Sequence, residues 1–437
     1  MALVTTPKAE EHNCQYINFA GDSRNCYMTF DSDFNEDSYY TKVLKHSKRC
    51  VDCTFVHHSE LCYDCIDCHT CYNLRYSQDC TNCSDSAFLK DCLSCKNCIF
   101  CANLVQKEYH IRNKPYYREE YEKIVRDMKL EKTTSVEKLQ EEFDAFIQQF
   151  PKKFAHQLKA EDSTGDYQQN VQRCHQCYDV GDAQDLTYCD ALYKARDCQD
   201  VSSFGEGVEL LYECATAGID SYHNLFCFEP ILGSSDLLYC DELRASKHCF
   251  GCTGLKHASY CIFNKQYSKE EYEKLVPEII GHMRKTGEYG EFFPIKDSPY
   301  TYNETVATEY FALTKEQVLK QGWTWKEEEK TVNSSGATAP DDIKNASDEI
   351  CSTVLRCNKT GRPYKIIPQE LQFYRDLRIP IPQLCPDERH DRRMAKRNPR
   401  TLWNRECSEC KKKFRTSYAP DRPEIIYCGE CYRQNVY

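Results

Sequence analysis

The sequence predicts a mainly β protein: a duplicated, narrow, cysteine-rich β-solenoid with capping helices, followed by zinc ribbons at the C-terminus. Three observations predict it: a side-chain period of three, two matching segments at a constant offset, and two CxxC pairs near the end. The period runs unbroken from Cys14 to Leu104, where every third residue is small, thiol-bearing or apolar and none is charged. Cys50, Cys53, Val56, Ser59, Cys62, Cys65, Cys68 and Cys71 are a sample of that column, and the residues between them are rich in Asp, Lys, Arg, Asn and Tyr. A period of three suits neither a helix at 3.6 nor a strand at 2.0. It suits a coil whose short sides each turn one residue inward, so most of these cysteines are core before they are ligands.

The first solenoid is expected over residues 13–110, with coils of 12 the simplest folding of the column. A helical cap and connector follows over 111–166, where Pro115 suits a first helical position and Thr134 with Glu137 makes a capping box. The second solenoid, 167–265, resumes the rule at Cys174 and Cys177 and breaks register between Glu206 and Pro230, where Cys214, Cys227 and Cys240 stand 13 apart. Such breaks read as bulged corners that can carry a site. KNCIFCANLVQKEYHIRNKPYYREEYEKIV from Lys96 matches KHCFGCTGLKHASYCIFNKQYSKEEYEKLV from Lys247 at an offset of 151, so each copy reads as a stack closed by a helix. Residues 266–326 form the second cap and connector, with Ser268 and Glu271 as its capping box, and the polar stretch 327–349 reads as a flexible linker.

Two ribbon-like segments close the chain. In 399–437, Cys407-x2-Cys410 and Cys428-x2-Cys431 supply four soft thiolates, the donor set of a closed tetrahedral site, with strand-like segments between the pairs. Structural Zn2+ is the expected ion, with redox thiols or a single iron as alternatives. Segment 350–398 reads as a degenerate zinc ribbon. It resembles short bacterial ribbons with CxxCGxxF, QEFY and CPxCR motifs, but Thr360 and Glu388 stand where partners of Cys357 and Cys385 belong. The runs Cys62 to Cys71 and Cys92 to Cys101 invite an iron–sulfur reading, yet their last gap is x2 and the next residues are Tyr72 and Ala102, unlike ferredoxin spacing.

The 437 residues carry 31 cysteines and a formal charge of −11. From Cys351 onward 19 Lys plus Arg stand against 10 Asp plus Glu, which is +9 and leaves −20 for the rest. The run Arg389 to Arg400, RHDRRMAKRNPR, concentrates that charge. It fits a protein partner or nucleic acid and equally fits docking on the acidic body. No run of about 18 apolar residues and no basic, apolar leader opens the chain, so a cytoplasmic protein without membrane contact is expected, its thiols reduced or metal-bound.

No Walker loop, G-x-S-x-G or HExxH is present, and no catalytic residue is assigned. The expected function is non-enzymatic binding or assembly, through a tyrosine-rich acidic solenoid face and a tethered, basic zinc-ribbon tail. The alternative is an enzyme, or a thiol-redox or metal-handling protein. Its site would be at the register break, near Glu206, Glu209, Asp220 and His223, or in the cysteine clusters.

The NK-x-Y-x3-EYEK closings, the YNETVA connector and the paired tail ribbons together resemble uncharacterised cysteine-rich proteins of candidate-phyla bacteria. Some of those carry a type III CoA-transferase label, but the α/β domain such a transferase needs has no counterpart here. The resemblance implies zinc ribbons and no particular activity.

Overall fold

A computed structural model describes residues 12–327 and 336–436. Strand outweighs helix, 38% against 22%, in several sheets. In the first half the strands pair in parallel, Asn18–Gly21, Tyr27–Asp33, Tyr39–Lys45, Thr54–His57 and Ile66–His69 in one sheet, with Tyr72–Arg75, Ser84–Lys90, Lys96–Ala102 and Glu108–Ile111 in the next. Each residue faces the one 12 further on: Phe30 pairs with Lys42, Lys42 with Thr54 and Thr54 with Ile66.

One residue in each triplet turns the chain. Asn13, Tyr16, Phe19, Asp22 and Asn25 have φ between 47° and 56°, and the series continues at every third position, always one residue before the inward one. This left-handed region costs an L-residue roughly 1–2 kcal/mol, least for Asn and Asp. Those two recur in the series, at Asp52, Asp64, Asp67, Asn73, Asp79 and Asp91 among others.

Hydrogen bonds explain the rest of the triplet. Two of its three N–H groups join neighbouring rungs through the backbone, as when Lys48 donates to Ser59 O at 3.0 Å and Arg49 to Glu36 O at 2.9 Å. The third N–H, of the inward residue, is taken by the inward side chain of the rung before where that side chain is Ser or Asn. Cys50 N donates to Ser38 Oγ at 3.2 Å, Ser59 N to Ser47 Oγ at 3.1 Å and Ser47 N to Asn35 Oδ1 at 3.0 Å. The same hydroxyls donate to the carbonyl two residues back, Ser38 to Glu36 O and Ser59 to His57 O, both at 2.9 Å. The column thus supplies acceptors as well as volume, because a buried N–H without a partner costs as much as a lost hydrogen bond.

The second half begins its ladder at Gln157–Glu161, ahead of the expected residue 167, and continues through Gly165–His175, Cys177–Thr187, Asp190–Glu209 and Tyr212–Gly218. Its rung is 12 residues at Gly165 with Cys177, becomes 13 at Gln199 with Tyr212 and Tyr212 with Leu225, and returns to 12 at Ser235 with Lys247. The register break is therefore a set of longer rungs rather than a loop. The extra residue sits at a corner, where Ile219 and Asp220 both have positive φ. Both ladders end on the same device: Asn113 exchanges two hydrogen bonds with Ala102, at 2.9 and 2.8 Å, and Asn264 two with Thr253, both at 2.9 Å.

Eight helices lie among the described residues: α1 (Arg118–Asp127), α2 (Thr133–Ile147), α3 (Lys269–Thr286), α4 (Ala307–Tyr310), α5 (Lys315–Lys320), α6 (Pro368–Leu377), α7 (Pro386–Met394) and α8 (Gly429–Val436). The Ser268–Glu271 capping box forms as expected at α3. Pro115 instead lies in a short strand, and the start of α2 is capped from far along the chain, Thr134 N donating to Asp341 Oδ1 at 2.8 Å.

Three further expectations change. The tyrosine-rich face of the first ladder is interior: Tyr39, Tyr40, Tyr63 and Tyr76 are buried with Phe88 and Phe100 under Phe143 of α2 and Phe373 and Tyr374 of α6. Of the linker 327–349, residues 328–335 lie outside the described residues. The part from 336 is packed, with Ala339, Ile343 and Ala346 in that same core and Ile343 N on Glu131 O at 3.2 Å. The tail is likewise not tethered loosely. Strand Ile426–Tyr427 pairs with Lys152–Lys153, and Tyr432 of α8 donates to Asn103 Oδ1 at 3.1 Å. Apolar burial and backbone pairing outweigh the polar composition that made these segments read as free.

Candidate metal centre and basic seam

The four predicted ligands come together. Strand Trp403–Glu406 runs antiparallel to Lys413–Thr416, and the turn between them is the first knuckle, Lys411 N donating to Cys407 O at 3.0 Å. Strand Ile426–Tyr427 delivers the second knuckle at the start of α8. The four sulfurs of Cys407, Cys410, Cys428 and Cys431 lie within 4.8 Å of one another, with Cys410 exposed and the others buried. Cys428 N donates to Cys407 Sγ at 3.3 Å. Burial opposes the thiolate of Cys407, but N–H groups of Cys428, Cys410 and Glu409 aimed at its sulfur bring it down to about 6. Four thiolates in this compass fit a soft tetrahedral ion such as Zn2+ and leave it no open position.

The column cysteines are placed otherwise. No cysteine of the chain's 31 is in a disulfide, and among those of the column Cys53, fully buried, is typical: its Sγ donates toward Val51 O at 3.4 Å and Cys62 O at 3.5 Å. Burial pushes the Cys50 and Cys53 thiols well up. Among the described residues only one other set has metal-ligand spacing, Asp79, Asp91 and His156. Its members are already engaged: Asp79 with Lys90, Asp91 with Lys152, and His156 Nδ1 with Asp166 at 2.9 Å. In the degenerate ribbon Cys357 is drawn down to about 7 despite burial, by Thr360 and by N–H groups including that of Cys385, and Glu388 pairs with Lys359 at 2.6 Å. The register-break residues lie on adjacent rungs, Asp220 N donating to Glu206 O at 2.9 Å and His223 N to Glu209 O at 3.0 Å, but two of their side chains go to other partners. Glu206 pairs with Lys194 at 2.8 Å, while His223 pairs with Asp236 at 2.7 Å.

What the motifs did not reveal is where the basic run goes. It threads a seam between the two ladders. Arg389 Nη1 reaches Asp52 Oδ2 at 2.5 Å with its guanidinium 4.5 Å from the Tyr40 ring, and Arg393 Nη1 reaches Asp52 Oδ1 at 3.0 Å. Arg392 pairs with Asp64 at 2.8 Å. Arg397 is bonded to Asp67 at 2.9 Å and Asp179 at 2.6 Å and lies over Phe55 and Tyr167. Arg400 joins Asp179 to Asp190, and Lys42 and His390 meet on Glu309 of α4. Burial pushes Asp179 up, yet Arg397 and Arg400 together hold it below the usual carboxylate range. Most of these aspartates, Asp52, Asp64, Asp67 and Asp179, occupy the left-handed positions of their triplets, one place ahead of the inward residue. A column of Asn and Asp at that position was the available signal.

Among the described residues no helix is long and apolar enough to cross a membrane. No protein-family model matches the chain, and no curated protein does. A solved structure described as "putative acetyltransferase" from Desulfovibrio desulfuricans is 11% identical over 60% of this chain and 69% of its own, with a TM-score of 0.13, too low to bear on fold or function.

Proposed function

We propose that this chain is a zinc-stabilised, non-enzymatic binding and assembly protein, built as a duplicated β-solenoid with a four-cysteine zinc ribbon at its C-terminus. The observation that carries the reading is the convergence of Cys407, Cys410, Cys428 and Cys431 within 4.8 Å. The 12-residue pairing of both ladders and their matching Asn113 and Asn264 closures support the duplicated architecture. The run 389–400 then serves as an internal clamp. A cluster of cations left for an acidic partner, protein or nucleic acid, is at the first knuckle, where Lys411, Lys412, Lys413 and Arg415 are exposed.

Metal analysis of the purified chain tests the reading. About one zinc per chain, lost on Cys407→Ser with Cys428→Ser, supports it. Iron with sulfide, or several zinc ions per chain, overturns it. Partner binding at the knuckle predicts salt-sensitive association that Lys411→Ala with Lys413→Ala weakens and that charge-neutral changes elsewhere leave intact.

A further inference from the structure

A cavity of about 110 Å³ lies between the two ladders. Its walls are left-handed corner residues from both sides, Phe19, Asp31 and Val43 facing Ala191, Ser203, Thr216 and Glu229. Asp33, Lys45, Tyr193 and Phe204 complete the charged and aromatic lining.

Three features set this cavity apart from ordinary packing. Glu229 is only 1% exposed; its Oε1 accepts from Arg244 at 3.0 Å, and its Oε2 has no hydrogen-bond partner among the described residues. The lining holds three carboxyls against one ammonium, since Lys42, the other base acting on Asp31, is drawn off to Glu309. Burial pushes Asp31, Asp33 and Glu229 all upward, each insufficiently compensated by Lys42, Lys45 or Arg244. The backbone beside it is strained at Ser203, Phe204 and Glu206, with φ of 72°, 95° and 72°, while Gly205 and Gly207 take the same region without cost. A Cβ on Gly205 would fall 2.2 Å from Tyr193 O, so the strand closes on the cavity wall only with glycine there. Sustained strain of this kind collects at binding sites.

We propose that this cavity binds a small organic ammonium ion, a primary amine carried on a short aliphatic body. With Lys45 in the lining and Arg244 on Glu229 set against Asp31, Asp33 and Glu229, one carboxylate is left over and calls for one positive charge, and the aromatic faces suit an ammonium group. Lys45 Nζ already stands 5.6 Å from the centre of the Tyr193 ring in that manner. A bare Ca2+ or Mg2+ would need six or more oxygen donors, which Phe19, Val43, Phe204 and Ile231 displace from the wall. None of the lining residues is a candidate zinc ligand, so occupancy does not depend on the metal.

Calorimetric titration of the full chain with butylamine and with 1,4-diaminobutane tests the site, with 1-butanol as the neutral match. The expected result is saturable binding of an amine at one site per chain, about tenfold or more weaker for 1-butanol and about tenfold weaker for Glu229→Gln. Thr216→Leu, which fills the cavity without touching its charge, keeps the test valid if Glu229→Gln folds poorly, and the same loss is expected. Absence of saturable amine binding at millimolar concentration overturns the proposal. So does unchanged affinity in a folded Glu229→Gln or Thr216→Leu protein, or binding of Ca2+ or Mg2+ alone with none of the amines.

Discussion

Arg397 Nη2 donates to Asp179 Oδ1 at 2.6 Å across 218 residues of chain. Its Nε reaches Asp67 in the other ladder at 2.9 Å, so one guanidinium joins the two halves, with Phe55 and Tyr167 on its faces. Arg397→Ala leaves buried Asp67 without its cation and Asp179 on Arg400 alone, and is expected to cost about 3–5 kcal/mol. Urea unfolding measures this. Adding Asp67→Asn to that variant should restore part of the loss, since the orphaned charge is then gone, whereas adding Asp179→Asn should not, because Arg400 still pairs with Asp179.

Removing an inward acceptor tests the ladder itself. Ser59 Oγ accepts the N–H of Cys71 at 3.0 Å, and Ser59→Ala strands that N–H in the core at about 1–3 kcal/mol. Ser59→Cys should cost less, because sulfur fills the same role where Cys83 Sγ accepts the N–H of Cys95 at 3.5 Å.

His156 links stability to pH. Burial lowers its pKa, but Asp166 and Asp79 outweigh burial and raise it to about 9, against the interior ammonium of Lys90. A folded value above the unfolded ~6.5 gives stability that is complete below pH ~6.5 and is lost as pH climbs through about 9. That difference corresponds to about 3 kcal/mol. Unfolding midpoints of the wild type should fall as pH rises from about 6.5 through about 9, and His156→Gln should flatten that slope.

If the four-cysteine group holds a metal as proposed, removing it should loosen the C-terminal segment and leave the ladders standing. Lys152 N and Phe154 N donate to Ile425 O and Tyr427 O, bonds that depend on the second knuckle staying in place. Chelation or Cys428→Ser is expected to speed hydrogen exchange at Lys152 and Phe154 at least about tenfold while the Cys71 amide stays protected.

The inward column, the match between the two copies and the two CxxC pairs were all legible in the sequence, because each rests on a local rule repeated over short stretches of chain, whereas the closing role of Asn113 and Asn264 shows only in their hydrogen bonds. The acceptor role of Ser38, Ser47 and Ser59 was hidden inside the same column, since small size and hydrogen-bonding capacity select the same residues. The flexible reading of residues 336–349 failed at Ile343, whose burial depends on Glu131 and α2, far away in the chain.

Side-chain periodicity by itself determined that the chain coils with one residue in three inward, and four cysteines by themselves determined a soft-metal donor set. Only the tertiary structure decided that the two ladders lie side by side, that Arg389 to Arg400 is spent between them, and that a cavity remains at Glu229. The physical reason is that a rung's hydrogen bonds are the same at every corner. Asp179 and Asp182 therefore read alike in sequence, and only the placement of Arg397 and Arg400 buries one while the other stays at the surface.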